Sequence, residues 1–212
     1  MLVAIEGTTG SRRGRGADAR IRNPWGQGDR LRGDILAAAA LLLGELGTVE
    51  GLTLRGVARR AGVAPASIYA HFTDKSALID ALLAHEFEQI VDLMKEAEAQ
   101  TGPADPVGRV RSQLYAFCRY SLASPGHYRM MFGSHPGQRN YARTLVDRLA
   151  TTLSENQDAG ARLRLPADRA AIVLLVGAHG RVAISHAQSE ADTEEKVLQF
   201  VDELVGLVYA ST

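Results

Sequence analysis

Cysteine occurs once in these 212 residues, at position 118. No intrachain disulfide can form, and nothing in the cysteine usage points to an oxidising compartment. Long hydrophobic runs are also lacking. The longest, Ile35–Leu43 and Ala170–Ala178, have nine residues each, short of the ~20 that a bilayer span needs. The opening stretch MLVAIEGTTG has no basic segment and carries Glu6, so it does not read as a secretory signal. These absences lead to the expectation of a soluble cytoplasmic protein with no membrane association. Charge of one sign is missing too, since 24 basic residues face 24 acidic ones. A uniformly basic nucleic-acid coat and a highly charged disordered chain are both disfavoured. Strand-like alternation and internal repeats are absent from the pattern.

What is present is uneven. Residues 1–75 carry 11 Lys or Arg against 7 Asp or Glu, a net of +4 that the remainder cancels with −4. A polyanion would therefore meet the front of the chain. Residues 1–28, rich in Gly and Arg, read as a flexible basic arm. From Asp29 onward the apolar spacing is helical nearly everywhere. The first helix runs over Asp29–Leu46, with Leu31, Ile35, Ala38, Leu42 and Leu46 on one face. Two short helices follow, Leu54–Ala61 and Pro65 to about His71. A long helix starts at Thr73–Asp74 and reaches about Gln100, with Leu78, Leu82, Phe87, Ile90 and Met94 inward. Beyond the break at Pro103 and Pro106 come helices over Pro106–Leu122, the short HYRMMF piece, Gln138–Asn156, Ala167–Ser189 and Thr193–Tyr209. The stretch DAGARLRLP is read as a loop.

One stretch, VARRAGVAPASIYAHF, carries the functional signal. Leu54, Val57, Ala58 and Ala61 share a stripe, and Ile68 and Phe72 lie four apart on the second helix. Gly62 suits the tight turn between them, and Pro65 suits the first turn of the second helix. The arrangement is a helix-turn-helix, whose second helix can enter a DNA major groove.

The longer segment TLRGVARRAGVAPASIYAHFTDKSAL resembles the DNA-binding segment of the TetR family of bacterial regulators. Thr53, Val57–Ala58, Ala61–Gly62–Val63, Tyr69, His71, Phe72 and Lys75 carry the resemblance, over about 50 residues with the preceding helix. Two departures are Gly56, where the family often has an acid that would complete a capping box with Thr53, and Ser76, where Glu is usual. The resemblance implies an all-α fold of about nine helices. A three-helix DNA-binding domain (29–75) would precede an effector-binding and dimerisation domain (76–212). It implies double-stranded DNA contacts from Thr53, Arg55, Pro65, Ala66, Ser67, Tyr69, His71 and Lys75. By chemistry, Thr53, Tyr69, His71 and Lys75 suit phosphates, Pro65 and Ala66 suit a thymine methyl, and Ser67 suits a base edge or a phosphate; local packing is the other reading of Tyr69 and His71. It also implies a homodimer through the last two helices and a pseudo-palindromic operator.

The later stretches SPGHYRMMF and VGAHGRVA resemble a subgroup named for a Trp/His-Gly element. By implication the middle helices enclose a site for a small, lipophilic effector, with Phe117, Tyr120, Met130, Met131, Phe132 and His179 as lining candidates. Such a Met and Phe stripe also fits plain core. The expected role is a transcriptional repressor released by that effector. The alternatives are a helical small-molecule-binding protein or an enzyme without DNA-binding activity. His127, His135, His179 and His186 are the only ingredients of a metal site, and no paired metal-ligand spacing, nucleophile elbow or phosphate loop accompanies them. No catalytic residue, metal or cofactor is therefore expected.

Overall fold

The computed structural model describes residues 27–133, 138–187 and 194–210. Among the described residues there are nine α-helices and no strand. They are α1 (Gln27–Leu46), α2 (Leu54–Ala61), α3 (Pro65–His71), α4 (Lys75–Thr101) and α5 (Pro106–Ala123). There follow α6 (Pro125–Phe132), α7 (Gln138–Asp158), α8 (Ala167–Ala187) and α9 (Glu194–Val208). Helix α1 begins two residues earlier than the spacing predicts. The rest of the arm, including Pro24 and Trp25, lies outside the described residues.

Helix starts and stops follow local chemistry. Thr53 caps α2 by accepting the Gly56 N–H at 3.0 Å, so half of the capping box survives without an acid at position 56. Gly62 ends α2 with φ +69°, in the left-handed region that side chains avoid. Pro65 opens α3, and Asp74 caps α4 by accepting the Ala77 N–H at 2.8 Å. Asp105 does the same for α5 through the Gly108 N–H at 2.7 Å.

Helices α1, α2 and α3 form a compact head. Helix α3 is held mainly by α2, and α1 packs on α2, α4 and α6. Ile68 and Phe72 are buried beside Val57, Ala58 and Leu54. The predicted apolar face of α1 needs correction. Ile35, Leu36, Ala38, Ala39 and Leu43 are buried, whereas Leu46 is 44% exposed. A run of nine apolar residues has no period of its own, so its neighbours α2, α4 and α6 choose the buried stripe.

Helix α4 leaves the head and packs along α5, and α5 also touches α6, α7, α8 and α9. The predicted stripe of α4 is buried in full and is joined by Ile79, Leu83, Val91 and two carboxylates, Glu86 and Glu98. The loop before α8 meets the chain end in a single antiparallel bridge, Leu163 to Tyr209. Helix α8, by length and composition, is apolar enough to cross a membrane. Its Ile, Val and Leu residues bring it to that level, spread beyond the nine-residue run Ala170–Ala178 to Val182 and Ile184. In this fold it packs on α5, α7 and α9.

Candidate nucleic-acid interface and effector cleft

Helix α3 divides cleanly into two faces. Ile68 is fully buried, whereas Pro65, Ala66, Tyr69 and Ala70 are exposed and Ser67 and His71 are half-buried. Tyr69 is 51% exposed, an apolar ring with a polar tip presented outward. Thr53 and Arg55 are exposed at the start of α2. The Thr53 hydroxyl already accepts its capping bond, which leaves its own proton free for a phosphate oxygen. Lys75 is placed differently from a free surface cation. Its Nζ donates to the Glu50 carbonyl at 2.8 Å and so ties α4 to the loop before α2. The other basic side chains of the head are partly engaged. Arg60 pairs with Glu45 at 2.7 Å, and the Arg32 guanidinium lies 5.4 Å from the Phe72 ring centre.

The six lining candidates for the effector site separate. Phe132 and His179 border an open cleft of about 530 Å³ between α7 and α8, with Val146, Ile172, Leu175 and Val176. The cleft is mainly apolar; Arg143, Asp147 and Asp168 provide its charges. Tyr120 borders a different groove, between α4 and α5, with Leu93, Tyr115 and Arg119. Phe117, Met130 and Met131 are buried and border none of the described clefts.

His179 is fixed by α6. Its Nδ1 lies 2.8 Å from the Tyr128 hydroxyl, which also donates to the His179 carbonyl at 3.1 Å. The Phe132 ring centre is 4.6 Å from the imidazole. Burial holds the His179 pKa below the ordinary histidine value, favouring a neutral ring. The other histidines face elsewhere. His186 Nε2 meets the Ser121 carbonyl at 3.0 Å, and His127 lies between Glu86 and the Ala40 carbonyl. His135 lies outside the described residues. Among the described residues no three His, Cys, Asp or Glu side chains group to hold a metal ion. Burial pushes the Cys118 thiol up to about 12, so it stays an inert core group.

Two polar clusters were not legible in the sequence. In one, Glu98 of α4 meets Arg109 at 2.5 Å and also Arg148, and Arg109 reaches Glu155 at 2.6 Å. Thr152 donates to Glu98 at 3.2 Å and accepts from Gln113 at 2.8 Å. This network ties α4, α5 and α7 together. In the other, Tyr120 donates to Glu86, which also meets His127. Such residues sit singly on different helices, so no spacing within a helix marks them.

Residues 35–82 match the model of the bacterial regulatory proteins of the tetR family. This segment is a TetR-type DNA-binding domain. It takes in α2, α3, most of α1 and the first turns of α4. The whole fold is shared with solved structures of similar size. A protein named as a TetR-family transcriptional regulator from Rhodococcus sp. superposes with TM-score 0.73 at 19% identity, covering 86% of this chain and 100% of that one. A protein of unknown function from Rhodococcus sp. RHA1 gives 0.71 at 26%, covering 85% and 96%. SmeT, the repressor of the Stenotrophomonas maltophilia multidrug efflux pump SmeDEF, gives 0.66 at 20%, covering 85% and 91%; SmeT is also solved in complex with triclosan. The chain is thus a DNA-binding transcription regulator with a TetR-type head on an all-α body.

Proposed function

We propose that the chain is a transcriptional repressor that leaves a pseudo-palindromic operator when a small lipophilic molecule binds its body. The observation that carries the reading is the outward face of α3. Pro65, Ala66, Ser67 and Tyr69 are presented to solvent on a helix whose other side is locked by Ile68 and Phe72. A rigid helix with small and hydroxyl side chains at its N-terminal end suits base edges, and Tyr69 and His71 suit the flanking phosphates. Thr53 and Arg55 extend the phosphate contacts. Lys75 acts as a brace for the head as well as a local positive charge.

Residues 29–75 serve as the head and 76–212 as the effector and dimerisation body. The dimer forms through α8 and α9. Val173 and Ile184 of α8 and Leu207 of α9, none of them in the effector cleft, are 42–71% exposed. Apolar side chains so exposed on neighbouring helices suit a second copy, and a two-fold dimer calls for a two-fold operator. An interface of this kind also accounts for the apolar length of α8 in a protein that works on cytoplasmic DNA.

The effector enters the cleft bordered by Phe132, Val146, Ile172 and His179. Its mainly apolar walls and one neutral imidazole suit an aromatic or lipophilic molecule with a single polar group. SmeT, which binds triclosan, offers a first compound to try. Tyr128 and Phe132, which pack on His179 of the His179–Gly180 pair, support placement in the Trp/His-Gly subgroup.

Fluorescence anisotropy with DNA from just upstream of the chain's own gene tests the reading, at two salt concentrations. Tight, competitor-resistant binding that weakens steeply with salt is expected. Failure on that fragment and on random genomic fragments, with the dimer intact, would remove the DNA-binding assignment.

A further inference from the structure

Helix α6 faces two ways. Tyr128 and Phe132 turn to His179 on α8. Gly126, His127 and Arg129 turn to α1. A Cβ at Gly126 would lie 3.0 Å from the Leu43 carbonyl oxygen and 3.1 Å from the Gly47 Cα, so only glycine lets the two helices approach this closely. Arg129 donates to the Gly47 carbonyl at 2.8 Å, at the end of α1.

His127 completes this seam. Its Nε2 lies 2.9 Å from the Ala40 carbonyl of α1, and its Nδ1 lies 2.8 Å from Glu86 Oε2 on α4. Tyr120 of α5 donates to the same carboxylate oxygen. Glu86 is 2% exposed. The ring is thus flanked by a carbonyl, which can only accept, and a carboxyl group. Both contacts can be hydrogen bonds in just two ways. Either both ring nitrogens carry a proton beside an ionised Glu86, or Glu86 is protonated and donates to Nδ1 while Nε2–H donates to Ala40. Each arrangement holds one more proton than a neutral histidine beside an ionised glutamate. Removing that proton leaves a lone pair aimed at the carboxylate or at the carbonyl; among the described residues the one other donor beside the ring, the Tyr120 hydroxyl 3.4 Å from Nδ1, is already engaged by Glu86.

We propose that Glu86 and His127 form a proton-dependent latch that fastens α6, and with it the effector body, to α1 of the DNA-binding head. The charged and titratable groups around the ring are few. Helix α4 contributes Glu86 and, one position away, the half-buried His85; α5 contributes Tyr120 and the neighbouring Arg119, which pairs with Glu194. Helix α1 contributes Glu45, held by Arg60, and α6 itself contributes Arg129, held by Gly47. Among these, Glu86 and Tyr120 reach the ring. The hydrogen bond to Glu86 raises the His127 pKa against the opposing effect of burial. Burial raises that of Tyr120, which remains a donor. A histidine with a raised folded-state pKa has its stabilisation fully in place below about pH 6.5 and loses it as pH rises through the raised value. The latch is therefore closed in mild acid and opens on the alkaline side. Its regulatory meaning rests on the repressor reading, because α6 also borders the effector cleft through Phe132. Its proton dependence does not rest on that reading.

The test uses the full-length protein. Ring-nitrogen NMR of ¹⁵N-histidine-labelled protein follows His127 from pH 6 to 9, assigned by loss of its signal in His127→Phe. Amide hydrogen exchange over residues 38–46, corrected for intrinsic rates, follows α1. The expected result is that α1 protection falls about tenfold across the His127 titration. Glu86→Gln is expected to keep protection high and make it independent of pH, because a neutral amide can donate to Nδ1 while Nε2–H still reaches Ala40. His127→Phe is expected to give low protection at every pH. Flat α1 protection through the wild-type titration would overturn the latch, as would an unchanged pH dependence in Glu86→Gln. Loss of the DNA-binding assignment in the anisotropy assay would leave the exchange result standing, so the two failures are separable.

Discussion

The head and the body of this protein use polar residues in opposite ways. In α1–α3 the polar groups face outward and the core is purely apolar, with Ile35, Leu43, Val57, Ile68 and Phe72 at 2% exposure or less. In α4–α7 six polar side chains are themselves buried, Glu86, Glu98, Gln113, Ser121, Thr152 and Asn156. An outward polar face recognises something outside. A buried polar network holds helices in one register, because every alternative packing leaves charges without partners. The head is built to touch and the body to keep, or change, a defined arrangement.

The sharpest way to break this comparison is to attack each core in its own currency. Phe72→Ala should destabilise the head by about 3–5 kcal/mol, the usual cost of emptying an aromatic site. DNA binding should vanish while helicity of the body persists, read by denaturation followed at the two ends of the chain. Glu98→Gln should cost the body about 3 kcal/mol, because Arg109 and Arg148 keep their charges in a half-dry site. DNA affinity at low denaturant should change little. If both substitutions unfolded the whole chain together, the division into two differently built regions would be lost.

Tyr69→Ala comes next in size. It removes an exposed ring, so stability should stay within ~0.5 kcal/mol. Operator affinity should fall about tenfold, equivalent to ~1.4 kcal/mol. Gly56→Ala is the smallest effect. Helix propensity favours Ala by up to ~1 kcal/mol, but its Cβ would sit 2.9 Å from the capping Thr53 hydroxyl. Displacing that cap costs a comparable amount. Stability should barely move, whereas DNA affinity should drop if the Thr53 hydroxyl contacts a phosphate.

The pH response should also divide by site. Burial lowers the His179 pKa, so its contribution is present above about pH 6.5 and declines as pH falls towards the lowered folded-state value, where the unfolded chain takes up the proton first. His127 behaves with the opposite sign. Acid should loosen the contact of α6 with α8, and alkali its contact with α1. Thermal unfolding of His127→Phe and His179→Phe against pH would show opposite limbs of the stability curve flattened.

Much of this was written locally. The three-residue turn at Gly62, the capping Thr53, Pro65 and the spacing of Ile68 and Phe72 are short-range features, set by backbone sterics and a period of 3.6. They determined the helix-turn-helix and which residues of α3 face outward, and the motif around them determined the family of the DNA-binding segment. The end of α1 at Leu46 and the break at Pro103 and Pro106 were legible for the same reason. Only the tertiary structure decided which stripe of the apolar α1 is buried, which of six aromatic, methionine and histidine candidates border a cleft, and that Lys75 is tied to Glu50. It alone brought Glu86 to His127 and Glu98 to Arg109 and Arg148. These pairs join different helices, with Glu86 and His127 41 residues apart and Glu98 and Arg109 11 apart, and a buried charge is stabilised by a partner whose place is set by packing, which no local pattern encodes.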